Sequence, residues 1–239
     1  MKEKFLALLV VTLAAVALLS AGPAQAAGIA STLHNLSPSG TGLHATGTQQ
    51  NTEICVWCHT PHGANTAFAG APLWNKANDS TSYTMYAATQ AGTPQAGAPG
   101  GSSLACLSCH DGVNAINSLV TDASGTYYPG GSNVAFGATP AGTAVLMPAG
   151  MYSVGTNLQG THPISIPYTQ GKASLVSPLT TFGTTSIGML LRNGNIECGS
   201  CHDPHVGTGD ATAKGTVAGP HFLLESNAGS ALCLACHAK

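Results

Sequence analysis

All eight cysteines of the chain fall into one spacing, each pair followed at once by a histidine. The four copies are Cys55, Cys58 and His59; Cys106, Cys109 and His110; Cys198, Cys201 and His202; and Cys233, Cys236 and His237. Two thiols three positions apart with histidine next in line is the attachment signal for a c-type haem. Each thiol adds to one porphyrin vinyl group, and the adjacent histidine reaches the iron as its first axial ligand. A single copy would also suit half of a zinc site or a redox dithiol. Zinc sites, however, do not require a histidine directly after each cysteine pair, and here all four pairs carry one. No cysteine is left over for a disulfide. Four covalently bound haems are therefore expected, held by the eight cysteines, with iron ligated by His59, His110, His202 and His237.

Each iron needs a sixth ligand if it is to be closed, and six further histidines are present: His34, His44, His62, His162, His205 and His221. His62 and His205 stand three residues after His59 and His202, in CHTPH and CHDPH. Three residues span at most about 10 Å, too little to pass round a porphyrin edge and return to the same iron. Pro61 and Pro204 also turn the chain away from helical geometry. These two histidines must serve neighbouring haems if they bind iron, which forces the porphyrins close together. His162 is stiffened in the same way by Pro163. The expected distal ligands are His34, His62, His162 and His205, with His44 and His221 outside the set. Met85, Met147, Met151 or Met189 could ligate instead and would raise the potential, but the surplus of histidine favours low-potential bis-histidine haems.

The elements that must position these groups are sparse. The chain has 239 residues, of which only 7% are charged and 5% aromatic, with 30 Gly and 14 Pro. Such a composition is poor in helix formers and in large core side chains. Haems would supply the missing apolar interior, and their thioether links would reduce the entropy lost on folding. Short helices are expected on the CxxCH segments and on Ser186–Arg192, with a short β-like run at Ile164–Tyr168. The expected fold class is a multihaem cytochrome c: mostly coil, a few short helices and minor β, with a core formed by four covalently bound haems. Residues 113–197 are rich in turns, and Trp74, Tyr83 and Tyr86 are expected to pack against porphyrin faces or edges. No internal domain boundary is evident.

Residues 1–26 have the pattern of a secretion signal: basic Lys2 and Lys4, an apolar stretch from Phe5 to Leu19, and Ala24-Gln25-Ala26 for cleavage. The mature part, 27–239, is expected to form one tetrahaem domain, with 27–51 as an extended N-terminal arm. It retains 5 basic and 8 acidic residues, a net of −3, against −2 for the whole chain. That balance gives no basic face for nucleic acid. No second apolar run long enough to span a bilayer follows the signal. The expected product is secreted, passing through the periplasm to the cell surface or beyond.

The order His34-Asn35-Leu36-Ser37, CVWCHTPH, Pro72-Leu73-Trp74, CLSCHDG, Thr161-His162-Pro163-Ile164-Ser165, CGSCHDPH and Ser226-Asn227-Ala228-Gly229-Ser230-Ala231-Leu232-CLACH resembles the OmcE-type tetrahaem cytochromes. Those are secreted cytochromes that polymerise into extracellular nanowires. The resemblance covers nearly all of the mature chain. It implies electron transfer, not enzymatic turnover, through four bis-histidine haems in little regular secondary structure. It also implies a head-to-tail filament of copies of this chain carrying electrons to an external acceptor. One axial histidine would then come from the adjacent subunit, and His34 on its arm is the expected donor. A low-charge surface and an open head-to-tail contact suit a filament. A monomeric periplasmic carrier is the alternative, and a reductase with an open haem position a third.

Overall fold

A computed structural model describes residues 27–46, 52–77, 81–87, 97–122, 124–150, 152–168, 174–183, 185–205, 222–224 and 227–238. The secretion signal expected at 1–26 and His221 lie outside these residues. The architecture is mostly irregular chain. Among the described residues there are four short helices: α1 (Ala27–Ala30), α2 (Gly101–His110), α3 (Ile187–Leu190) and α4 (Ala231–Cys236). Single 3₁₀ turns add Cys55–Trp57, Leu158–Gly160, Cys198–Ser200 and Ala228–Ser230.

The strands form three separate antiparallel pairs. β1 (Ser118–Thr121) pairs with β2 (Tyr127–Asn133), with the register shifting between Leu119 and Thr121. β3 (Ile166–Pro167) pairs with β6 (Asn195–Ile196), and β4 (Thr181–Phe182) with β5 (Thr185–Ser186). Two-stranded ribbons are marginal in water by themselves, so packing must hold them. Two small apolar clusters do so. Ala45, Trp57, Ile116, Leu119, Val134 and Phe136 form the larger, which seats the β1–β2 ribbon against the first CxxCH segment. Leu107, Leu158 and Ile164 form the smaller, with Tyr83, Met85 and Cys198 packed against it. Each cluster includes or touches a residue of a CxxCH segment, so the limited core is spent on positioning those segments.

Residues 27–46 do not run as the extended arm expected for 27–51. Backbone bonds Thr32 N–Ile29 O, Asn35 N–Thr32 O and Gly40 N–Ser37 O coil the segment into successive turns. Asn35 and Ser37 are buried, and Ala45 enters the larger cluster. The physical cause is the run of short polar side chains. Asn35 donates to Ala30 O and Ser39 Oγ while its Oδ1 accepts from Ser37, and such side chains satisfy a turned backbone locally. Among the described residues, no helix is long and apolar enough to cross a membrane.

Candidate haem-attachment centre

Every CxxCH segment contains a helical turn. Motif one has Cys58 N and His59 N both bonded to Cys55 O at 3.1 and 2.8 Å. Motif three repeats it, with Cys201 N and His202 N on Cys198 O at 3.2 and 3.0 Å. Motif two ends α2 and motif four occupies α4, where His237 N bonds Cys233 O. Positions i and i+3 share a helix face, so each turn presents its two thiols together and its histidine beside them. Two thioethers and an axial bond to one porphyrin need that arrangement.

The chain leaving each turn is then fixed by a returning segment. His59 bridges Trp74, His202 bridges Leu223 and His237 bridges Leu175 in antiparallel sense, while Val154 N bonds His110 O. Two of these segments also orient the imidazole: His59 Nδ1 lies 2.7 Å from Pro72 O, and His110 Nδ1 lies 2.6 Å from Tyr152 O. A proton held on Nδ1 by a carbonyl leaves Nε2 as the free, basic nitrogen, the usual support for a metal-binding histidine.

The expected distal histidines meet the proximal ones in pairs. His34 and His110 have ring centroids 6.0 Å apart, His59 and His205 6.2 Å, and His162 and His237 6.2 Å. Metal–imidazole bonds of about 2 Å on opposite sides of one iron put ring centroids about 6 Å apart, so these residues fit a haem. Among the described residues, no group of three or more His, Cys, Asp or Glu could hold a bare metal ion. A porphyrin, supplying four nitrogens itself, asks the protein for only two.

The supporting contacts differ between the distal histidines. His205 Nδ1 lies 2.8 Å from Asp203 Oδ1. That hydrogen bond holds the Asp203 carboxyl below its ordinary range and raises His205. His162 Nδ1 is 2.8 Å from Pro163 O. His34 has no such support: its Nδ1 is closed off from solvent without a hydrogen-bond partner, and its ring centroid lies 4.4 Å from that of Phe222. Burial, then the neighbouring His110 and His205, press its imidazole down to about 4. It is thus neutral at pH 7, as a ligand must be. A buried nitrogen left unpaired is costly. Within the single chain, His34, the expected donor to a neighbouring subunit, lies beside His110. His62 is exposed, and its carbonyl accepts from the Thr60 and Thr121 hydroxyls. His44 carries the same feature as His59 and His110, with Nδ1 2.7 Å from Gly42 O.

The cysteines follow one another in chain order. Cys58 of motif one is within electrostatic reach of Cys109 of motif two. Cys106 of motif two shares a hydrogen bond with Cys198 of motif three. Cys201 of motif three feels Cys236 and Cys233 of motif four. Burial pushes the Cys58 and Cys201 thiols up to about 11, whereas the bond from Cys106 brings Cys198 down to about 7.

Trp74 donates from Nε1 to Ser108 Oγ at 3.1 Å, Tyr83 OH to Asp111 at 2.8 Å, and Tyr86 OH to Thr161 O at 3.0 Å. The aromatic group thus ties the long segment after motif one to motif two and to the His162 turn. Sequence reasoning missed three supporting residues. Asn75 is buried and clamps motif one, its Nδ2 donating to Val56 O and Thr121 O and its Oδ1 accepting from Thr121 N. Buried Lys76 donates from Nζ to Ile116 O at 2.6 Å. Buried Glu197 links motif three to α2. A lone polar residue carries no sequence signal of burial, so none of the three was visible beforehand. Comparison with protein-family models and with curated proteins finds no match to this chain.

Proposed function

We propose that this chain is a secreted tetrahaem c-type cytochrome that transfers electrons, and that copies of it join head to tail as an extracellular conducting filament. The observation that carries the reading is the spacing of three histidine pairs, each combining a CxxCH histidine with one from elsewhere. Bound haem supplies a one-electron ferric–ferrous couple. The chain's own residues do the rest. Eight cysteines would hold the porphyrins covalently, and His59 with His205, His110 with His34, and His237 with His162 would hold three of the irons. Closed faces exclude exogenous ligands, which favours electron transfer over turnover of a substrate. The succession of motif thiols from one to four supports a continuous row of porphyrins.

With His34, His162 and His205 beside proximal histidines of their own chain, the donor to a neighbouring subunit is reassigned to His62. It is the remaining member of the expected set, it is exposed, and we assign it to His202 of an adjacent copy. Its resemblance to the OmcE-type sequences is the further support for a filament. The test is direct. Denatured secreted protein is expected to contain four haems by mass and by the pyridine haemochrome spectrum, and negative-stain microscopy is expected to show filaments. Fewer than four haems removes the cytochrome reading, and an exclusively monomeric product leaves a diffusing periplasmic carrier. A reductase would bind carbon monoxide in the native reduced state, which closed haems do not.

A further inference from the structure

We propose that the buried carboxyl of Glu197 tunes the reduction potential of the haems attached at Cys106 and Cys198 and couples that potential to a proton. The proposal rests on the tetrahaem reading above. Glu197 is 4% exposed and directly precedes Cys198. Its Oε2 accepts the Ser103 hydroxyl, from α2, and the Ser165 hydroxyl at 3.0 Å, from the segment after His162. Its carboxyl also accepts the Ser200 N–H, while Ser200 Oγ takes the Glu197 N–H at 3.0 Å. The serines pass the contact on: Ser103 Oγ accepts Cys198 N–H at 2.9 Å, and Ser165 Oγ accepts Gly100 N–H at 3.0 Å. One carboxyl therefore joins motif two, motif three and the His162 turn through neutral donors.

Among the described residues, no Lys or Arg forms an ion pair with it. The titratable group beside it is Cys198, whose thiol is consumed when a thioether forms. Arg192, on the same loop, holds its guanidinium on Gly199 O at 2.8 Å. A carboxylate buried without a cation next to Cys198 would stabilise the ferric form of a haem held there, because low local polarity weakens the screening of its charge. Charge and hydrogen bonding around the cofactor are established levers on its potential. Reduction adds an electron next to that carboxylate and so favours its protonation. Burial already raises its proton affinity above that of an ordinary glutamate.

The experiment is a spectroscopic redox titration of intact secreted protein from about pH 5 to 9, comparing wild type with Glu197→Gln. Glutamine keeps the shape and can still bond the serines. The expected result is four haems and an unchanged absorption spectrum, with the part of the titration belonging to two haems moved to higher potential. The difference from wild type should shrink in acid, where Glu197 is itself protonated. Four haems with potentials equal to wild type at every pH would overturn the proposal. If the glutamine variant does not assemble, Ser165→Ala replaces it. Removing one donor to the carboxylate should move the pH-dependent region upward, and no movement overturns the proposal. Haem counting on wild type comes first, so a failure of the tetrahaem reading is seen separately.

Discussion

At the residue scale, the distal histidines carry the sharpest expectations. His34→Ala should leave all four haems attached, because thioethers hold them, and should open one iron. The measurement is carbon monoxide binding to the reduced native protein, absent in wild type and expected at about one haem in four. Filaments should persist, since His34 sits beside His110 of its own chain at 6.0 Å. His62→Ala should do the reverse at the level of assembly: haem content is kept while filaments are lost, as read by negative-stain microscopy. Filaments from the His62 variant as abundant as wild type would return the inter-subunit role to another residue. The Asp203–His205 contact makes a finer point. A carboxylate that holds one nitrogen's proton directs the other nitrogen outward, so identity and orientation of the ligand are set by different residues.

At the element scale, the β1–β2 ribbon depends on one loop and one core face. Burial alone would raise the Asp122 carboxyl. The Ser124 hydroxyl and the Thr126 and Ser124 amides, with Tyr128 OH, outweigh it and hold Asp122 below its ordinary value. A lowered carboxyl contributes stability that is present above its unfolded value and lost as pH falls through its folded value. Asp122→Asn should therefore cost about 1–2 kcal/mol near pH 7, from weakened charge-assisted bonds. The difference should shrink as pH falls through the folded value of Asp122, as read by denaturant unfolding at neutral and at acid pH. On the core face, Phe136 is 1% exposed and meets Trp57 at 6.5 Å between ring centroids. Phe136→Ala should cost about 3–5 kcal/mol and loosen motif one first, seen as faster proteolysis near residue 57. Gly63 makes the tight exit from CHTPH possible. Its φ is +68°, and a Cβ there would lie 2.6 Å from the Tyr127 ring.

At the scale of the whole molecule, the described residues supply two small clusters and three short strand pairs, a thin apolar interior. Chains normally bury a larger fraction of their surface as they grow. The expected consequence is that folding and haem attachment are one event. Expressed in a host unable to attach c-type haem, the chain should give little far-ultraviolet dichroism beyond coil and rapid proteolysis. A protease-resistant, cooperatively unfolding haem-free chain would show that the polypeptide has a sufficient core by itself.

The sequence by itself carried the proposed attachment chemistry, because thiol, thiol and histidine fall within one helical turn and their spacing is local. It also placed helical turns on the CxxCH segments, and its Gly, Pro and short polar side chains left little else regular. Which histidines meet was decided only in three dimensions. His34 and His110, His59 and His205, and His162 and His237 lie far apart along the chain, and nothing local selects one partner over another. The folding of residues 27–46, and with it the placing of His34, was likewise tertiary. It arises from Asn35 and Ser37 satisfying a turned backbone and from Ala45 joining Phe136, contacts whose partners the local pattern does not name. Buried Lys76, Asn75 and Glu197 were illegible for the same reason: burial of a lone polar group is a property of its surroundings, which only the folded chain assembles.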